Sequence, residues 1–116
     1  MRARVPPALL LAVFACGRGE SEAARAMRVT EEGFDLYRAR CSACHEVDGG
    51  IGPRLRREVV AAHQPPGRLF EYLRRTMPYG APGTLSDDEY WKVVQFLLVS
   101  RELADSTKLV RPPASD

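Results

Sequence analysis

A cluster of two cysteines and a histidine lies near the middle of the chain. Cys41, Cys44 and His45 form the sequence C-x-x-C-H, although the 116 residues contain only three cysteines and two histidines. Thiol and imidazole groups at this spacing suit three kinds of chemistry. They could hold a metal ion, form a redox-active disulfide, or attach a haem through two thioether bonds. The residues around the cluster must distinguish these possibilities.

The haem interpretation fits the spacing best. A tetrahedral zinc site needs four nitrogen or sulfur ligands, and the adjacent Cys44 and His45, with the distant His63, would make poor tetrahedral geometry. A thioredoxin-like redox pair requires a strand before the cysteines, and no strand pattern precedes them. In a c-type haem site, two thiols bond to one porphyrin edge and the next residue brings its imidazole to the iron. We therefore interpret Cys41, Cys44 and His45 as a haem c attachment site.

The elements that position this motif are predicted to be helices. Thr30 is a suitable N-cap for a helix that leads into the motif, and Ser86 begins a capping box with Glu89. Apolar residues at helical spacing, and no convincing strand pattern, predict an all-α chain. The expected helices are 31–41, a short one within 55–62, 68–76, and a last one from 87 to about 102.

Met77 is the predicted second iron ligand. Pro78 disfavours helical backbone at the preceding residue, so the helix over 68–76 should end there and leave the Met77 side chain free to turn inward. The following loop, PYGAPG, is rich in residues with restricted backbone angles. A gap-filling core role is the alternative for Met77. His63 is the other candidate ligand, but its surroundings predict an exposed turn.

These features together resemble the small class I cytochromes c. Gly33 and Tyr37 precede Cys41 by eight and four residues, Gly52-Pro53 follows the motif, and the segment EYLRRTMPYGAPGTLSDDEYWKVVQFLL has the order of the family's distal region. The likeness extends over about residues 30–101. It is closest to bacterial monohaem cytochromes and to the cytochrome domains attached to periplasmic dehydrogenases.

The resemblance implies a specific arrangement. It predicts the cytochrome c fold, with three main helices and one short helix wrapped around a covalent haem. The first and last helices should cross with Gly33 against Phe96. The carbonyl of Pro53 should accept the Nδ1 proton of His45 and so raise its basicity as a ligand. His45 and Met77 would be the axial ligands in this family.

The N-terminal residues predict export. Arg2 and Arg4 precede the apolar run Ala8–Ala15, and Cys16 follows directly, as in a bacterial lipoprotein signal. Lipidation of Cys16 would anchor the protein to the periplasmic side of a bacterial membrane; a soluble periplasmic protein is the alternative. The predicted organisation is a signal peptide over 1–15, a tether over 16–29, a cytochrome c domain over 30–103 and a flexible tail over 104–116.

The predicted function is one-electron transfer without catalysis, because a haem with both axial positions filled leaves no site for a substrate. Expected partners are a dehydrogenase or a terminal oxidase. The alternatives are an open-site haem enzyme or gas sensor, and a haem subunit that works only inside a larger complex. Two of the 17 basic residues fall in the signal, which leaves 15 against 15 acidic residues and gives no support for a nucleic-acid partner. Six arginines between 54 and 75 are a candidate docking surface for an acidic partner; the alternative is that one or two of them pair with the haem propionates and the rest are solvated.

Overall fold

Five helices make up the architecture of the computed structural model, which describes residues 2–3 and 19–114. No strand occurs within those residues, so the all-α prediction is confirmed. Among them, no helix is both long and apolar enough to cross a membrane. In chain order the helices are α1 Glu22–Arg40, α2 Ser42–His45, α3 Arg57–Ala61, α4 Pro66–Thr76 and α5 Asp87–Ser100.

The first helix begins nine residues earlier than the sequence predicted. Its N-cap is Ser21, whose side chain accepts a hydrogen bond from the Ala24 N–H. The predicted N-cap, Thr30, lies inside the helix and donates its hydroxyl to the Ala26 carbonyl, at 2.8 Å. Part of the expected tether is therefore helical. Ala26 is the one residue of this added segment that is fully buried, so apolar periodicity gave little signal for it.

Helices α1 and α5 cross at Gly33. A Cβ atom on Gly33 would lie 1.9 Å from the Lys92 carbonyl oxygen and 3.0 Å from the Phe96 Cβ, so only glycine permits this approach. The Phe96 ring packs against Tyr37, with ring centroids 5.1 Å apart. The contact expected between Gly33 and Phe96 is thus present, and it fixes the end of α1 that carries the C-x-x-C-H motif.

Helix α5 contributes most of the buried apolar residues of the core. Its N-terminus has the predicted capping box, in which Glu89 N–H donates to the Ser86 side chain and Ser86 N–H donates to the Glu89 carboxylate. Helix α4 packs on it through Phe70, which stacks on Trp91 at 4.4 Å. The buried apolar cluster consists of Tyr37, Val60, Leu69, Phe70, Tyr90, Val93, Val94, Leu97 and Leu98.

Residues 104–114, which we call the C-terminal tail, are hydrogen-bonded to α5. Gln95, 1% exposed, donates its side-chain amide to the Lys108 carbonyl at 2.9 Å. The same side chain accepts a hydrogen bond from Val110 N–H at 2.9 Å. The buried Gln95 amide therefore bonds to the tail backbone at two residues, Lys108 and Val110. The Val110 side chain packs against the core.

Candidate functional site

The C-x-x-C-H motif lies where α1 ends. The Cys41 N–H donates to the Tyr37 carbonyl at 2.9 Å as the last bond of α1, and the chain then rewinds into the single turn α2. This turn places His45 on the inside, with 7% of its surface exposed. Both cysteines are half-buried free thiols, and burial raises the pKa of the Cys41 thiol to about 11. Because the motif is wound as one turn, all three side chains belong to one short rigid segment.

The His45 ring is held in one tautomer. Its Nδ1 donates to the Pro53 carbonyl oxygen at 2.6 Å. A carbonyl can only accept, so Nδ1 carries a proton, and Nε2 is the ring nitrogen whose lone pair the neutral imidazole offers to a metal. Gly52 lies flat against the same ring, where a Cβ atom would come within 2.5 Å of Cε1. The hydrogen bond expected between His45 and Pro53 is therefore present, and a close contact with Gly52 supports it.

Met77 is presented by the end of α4. Its backbone is extended (φ −124°, ψ 153°), as the following proline predicted, and its N–H donates to the Leu73 carbonyl at 2.8 Å. The Met77 carbonyl accepts the buried Tyr90 hydroxyl at 2.6 Å, and that hydroxyl accepts the Gly83 N–H at 3.0 Å. Tyr90 thus fastens both ends of the loop after α4. The sequence analysis missed this role, although a tyrosine on an apolar helix face needs a partner for its hydroxyl.

One cleft brings all the predicted cofactor-binding residues together. Its volume is about 270 Å³, and Cys41, Cys44, His45, Pro53 and Met77 all line it. The remaining wall is mainly apolar and includes Leu55, Leu73, Val93 and Leu97. A smaller cavity of about 130 Å³ shares His45 and Met77 with this cleft. Two thiols, an unprotonated imidazole nitrogen and a thioether around an apolar cleft are the donor set and lining that haem c requires.

The zinc alternative is not supported by the positions of the side chains. His63 is half-buried, lines the smaller cavity that His45 and Met77 also line, and stacks on the Tyr72 ring with centroids 4.1 Å apart. The expectation of an exposed His63 was therefore wrong, because α4 supplies an aromatic neighbour that the local sequence did not indicate. Within residues 2–3 and 19–114, no group of three or more His, Cys, Asp and Glu side chains is arranged to hold a metal ion.

The arginines between 54 and 75 are partly committed to neighbouring acids. Arg54 pairs with Asp48 at 2.8 Å and with Glu46 at 3.7 Å. Arg74 pairs with Glu71 at 3.1 Å. These pairs are solvent-exposed and contribute little to stability, and they reduce the net positive charge of the stretch. A docking role for the remaining arginines stays a prediction.

Two comparisons with known proteins give a match to this chain. Residues 28–97, more than half of the chain, match the family model described as Cytochrome C oxidase, cbb3-type, subunit III. The thiosulfate dehydrogenase of Allochromatium vinosum is 33% identical over 87 residues. That match covers 57% of this chain but 29% of the relative, so the chain spans less than a third of that protein. No solved structure gives a significant match.

The family match includes every residue that the geometry gathers in the cleft, from Cys41 to Met77. Domains of this family bind haem c covalently, and the fold and donor set described above fit that cofactor. Haem c is therefore the cofactor of this protein, and the chain belongs to the cytochrome c family of cbb3-type oxidase subunit III.

Proposed function

We propose that the protein is a one-electron carrier whose haem c is attached at Cys41 and Cys44 and ligated by His45 and Met77. The observation that carries this proposal is that one apolar cleft contains both thiols, the unprotonated imidazole nitrogen and the methionine side chain. Haem c, when bound, supplies a couple between ferric and ferrous iron. The residues around the haem restrict this redox couple to electron transfer, because they leave no iron position at which a substrate could be activated.

Each residue has a separable task in this proposal. Pro53 holds the Nδ1 proton of His45, which keeps Nε2 available and raises the basicity of the imidazole. Tyr90 holds the Met77 backbone, which keeps the thioether in the cleft. Apolar neighbours such as Leu73 and Leu97 exclude water from it. With His45 and Met77 as its two protein ligands, the haem iron would keep no position for a substrate, and the methionine would favour a higher potential than two nitrogen ligands.

The visible spectrum of the Met77→Ala variant tests this assignment. Native protein should be low-spin, should show the weak sulfur-to-iron charge-transfer band when oxidised, and should bind carbon monoxide slowly when reduced. The variant should lose the band, have a lower potential and bind the gas readily. Met27→Ala is the matched control, because Met27 lies on α1 with 54% of its surface exposed and should leave the spectrum unchanged.

A native protein that lacks the band and binds carbon monoxide readily would contradict this ligand set. The function would then be that of an open-site haem enzyme or a gas sensor.

The Cys41→Ala and Cys44→Ala variants test the covalent attachment of the haem separately. Each single variant should keep haem through acid extraction by one thioether, and the double variant should lose it. Haem that survives extraction in the double variant would place the covalent bonds elsewhere.

The proposed location is the periplasmic side of a bacterial membrane, with a lipid on Cys16. Cys16 lies outside the residues that the structure describes, so the support is its position directly after the apolar run of the signal. Cys16→Ser should release a haem-containing protein from the membrane fraction. Wild-type protein that is already in the soluble fraction, with no lipid mass on its N-terminus, would refute the anchor.

A haem subunit that does not shuttle is the second candidate. The matching family is named after an oxidase subunit, and the relative is a thiosulfate dehydrogenase of which this chain spans less than a third. Either fact fits a unit that passes electrons inside a larger assembly. Purification from membranes in mild detergent distinguishes the two functions. Equimolar recovery with a dehydrogenase or oxidase supports the subunit, whereas recovery of the cytochrome alone, with rapid reduction by added partners, supports the carrier.

A further inference from the structure

Arg101, the first residue after α5, connects four separate parts of the site. Its Nε donates to the Leu55 carbonyl at 2.8 Å, and its Nη2 lies 3.5 Å from the Glu46 carboxylate. The guanidinium carbon lies 5.6 Å from the ring centroids of both Tyr37 and Phe96. The sequence analysis gave this residue no role, because an arginine at a helix C-terminus is common on a protein surface.

The Leu55 carbonyl belongs to the loop that orients the proposed histidine ligand. This loop, residues 51–56, carries Pro53, whose carbonyl accepts the His45 Nδ1 proton. It is fastened at one end by the Gly52 N–H, which donates to the Cys44 carbonyl at 3.1 Å. Beyond Pro53 the backbone hydrogen bonds of the loop are at Arg56, whose N–H donates to the Arg54 carbonyl at 2.9 Å and whose carbonyl accepts the Val60 N–H at 3.1 Å. Between these bonds and Gly52, side chains add further fastenings near Pro53.

Two arginines provide those fastenings, and they are not equivalent. The Arg54 side chain is 40% exposed and pairs with carboxylates in solvent. Ion pairs of this kind contribute little. The Arg101 side chain is only 17% exposed and bonds to the Leu55 carbonyl while it lies beside the packed Tyr37 and Phe96 rings. A charge-assisted hydrogen bond in such surroundings is stronger, so Arg101 is the stronger of the two side-chain fastenings.

We propose that Arg101 is a positioning residue for the haem ligand: it holds the loop whose Pro53 carbonyl fixes the His45 Nδ1 proton. The proposal rests on His45 being the iron ligand. Glu46 completes the arrangement, because it follows His45 directly and contacts both Arg101, as an ion pair, and Tyr37, as a hydrogen-bond acceptor. The Tyr37 hydroxyl donates to it, and burial together with this carboxylate holds the pKa of Tyr37 above its usual range. Arg101 therefore joins the segment that bears His45 to the loop that orients it.

Lysine should not replace Arg101 in this role. The guanidinium donates two hydrogen bonds, from Nε to the Leu55 carbonyl and from Nη1 to the Ser100 hydroxyl at 2.7 Å, and its Nη2 forms the ion pair with Glu46. Its central carbon lies 5.6 Å from the centroids of both aromatic rings. A lysine keeps the charge, but it is a point donor without a planar face. Arg101→Lys therefore removes the geometry while it preserves the electrostatic potential at the cleft.

The test is solvent exchange of the His45 Nδ1 proton, followed by NMR in the reduced, haem-containing protein. We expect Arg101→Lys to accelerate this exchange by about tenfold, because a held loop should open locally more often when one strong hydrogen bond is lost. The backbone amides of Val94 and Leu98, which lie in the core of α5, should exchange as in the native protein. Arg101→Gln, with a shorter side chain and no charge, should accelerate the Nδ1 exchange at least as much.

The control is Arg38→Lys. Arg38 also lies over an aromatic ring, that of Phe34 at 5.6 Å, but it has no contact with the loop and should leave the exchange unchanged. Equal acceleration at Nδ1 and at the α5 amides would show that Arg101 supports only global stability and would overturn the proposal. Unchanged Nδ1 exchange in both Arg101 variants would also overturn it. A native spectrum without low-spin haem would instead refute the ligation of His45 and Met77, so the two failures are distinguishable.

Discussion

The crossing of α1 and α5 allows a quantitative prediction for Gly33→Ala. The added Cβ would lie 1.9 Å from the Lys92 carbonyl oxygen and 2.7 Å from its carbonyl carbon, and both are backbone atoms that cannot rotate away. Ordinary contact begins at 3.4 Å, so the two helices must separate locally by about 1.5 Å. Overpacking of this kind costs about 3 kcal/mol. The better helix propensity of alanine offsets about 1 kcal/mol.

The net expectation is a destabilisation of about 2 kcal/mol, or a fall in Tm of about 8–16 °C for a domain of this size. The assay is denaturant unfolding of the oxidised, haem-containing protein, followed by circular dichroism. Gly67→Ala is the matched control, because Gly67 lies in α4 with nothing within 4 Å of the added Cβ. That control should be stabilised by about 0.5–1 kcal/mol. A Gly33→Ala variant as stable as the native protein would refute the close-packing argument.

Three further substitutions probe the supports of the site and of the tail. Tyr90→Phe leaves the Met77 carbonyl without its partner and should cost about 1–3 kcal/mol, with faster binding of carbon monoxide to the reduced protein. Gly52→Ala should displace the His45 ring, which lies 2.5 Å from the added Cβ, and give a high-spin component in the visible spectrum. Gln95→Leu should cost about 2 kcal/mol by removing two hydrogen bonds to the C-terminal tail, and trypsin should then cleave the tail faster.

The parts of the fold that the sequence predicted well are those with local signals. The capping box at Ser86 specifies the start of α5, and the proline after Met77 specifies the end of α4. The C-x-x-C-H spacing similarly identified the cleft, because covalent chemistry restricts which residues can occupy those positions. In each case, neighbouring residues determine the conformation, so no knowledge of the tertiary structure was needed.

The parts that the sequence missed depend on contacts between distant segments. The first turns of α1 have little apolar periodicity, and they contact the rest of the molecule through the buried Ala26 and through Thr30, whose hydroxyl accepts from the Gln95 amide at 3.4 Å. Gln95 interrupts an apolar helix face, and only the position of the C-terminal tail explains why a buried amide is tolerated there. Arg101 likewise acquires its role only once α1, α5 and the loop before α3 are packed together.

The length of α1 separates the two ends of the molecule. With 19 residues it extends about 28 Å, from Glu22 to the residue before Cys41. Its first turn lies beside the C-terminal tail, where Lys108 is 3.7 Å from Glu22, while the cleft lies at the other end. A support attached ahead of Glu22, whether a lipid, a bead or an electrode linker, would hold the protein by the end remote from the cleft. Immobilisation at that terminus should therefore leave the electron-exchanging end directed outward and unobstructed.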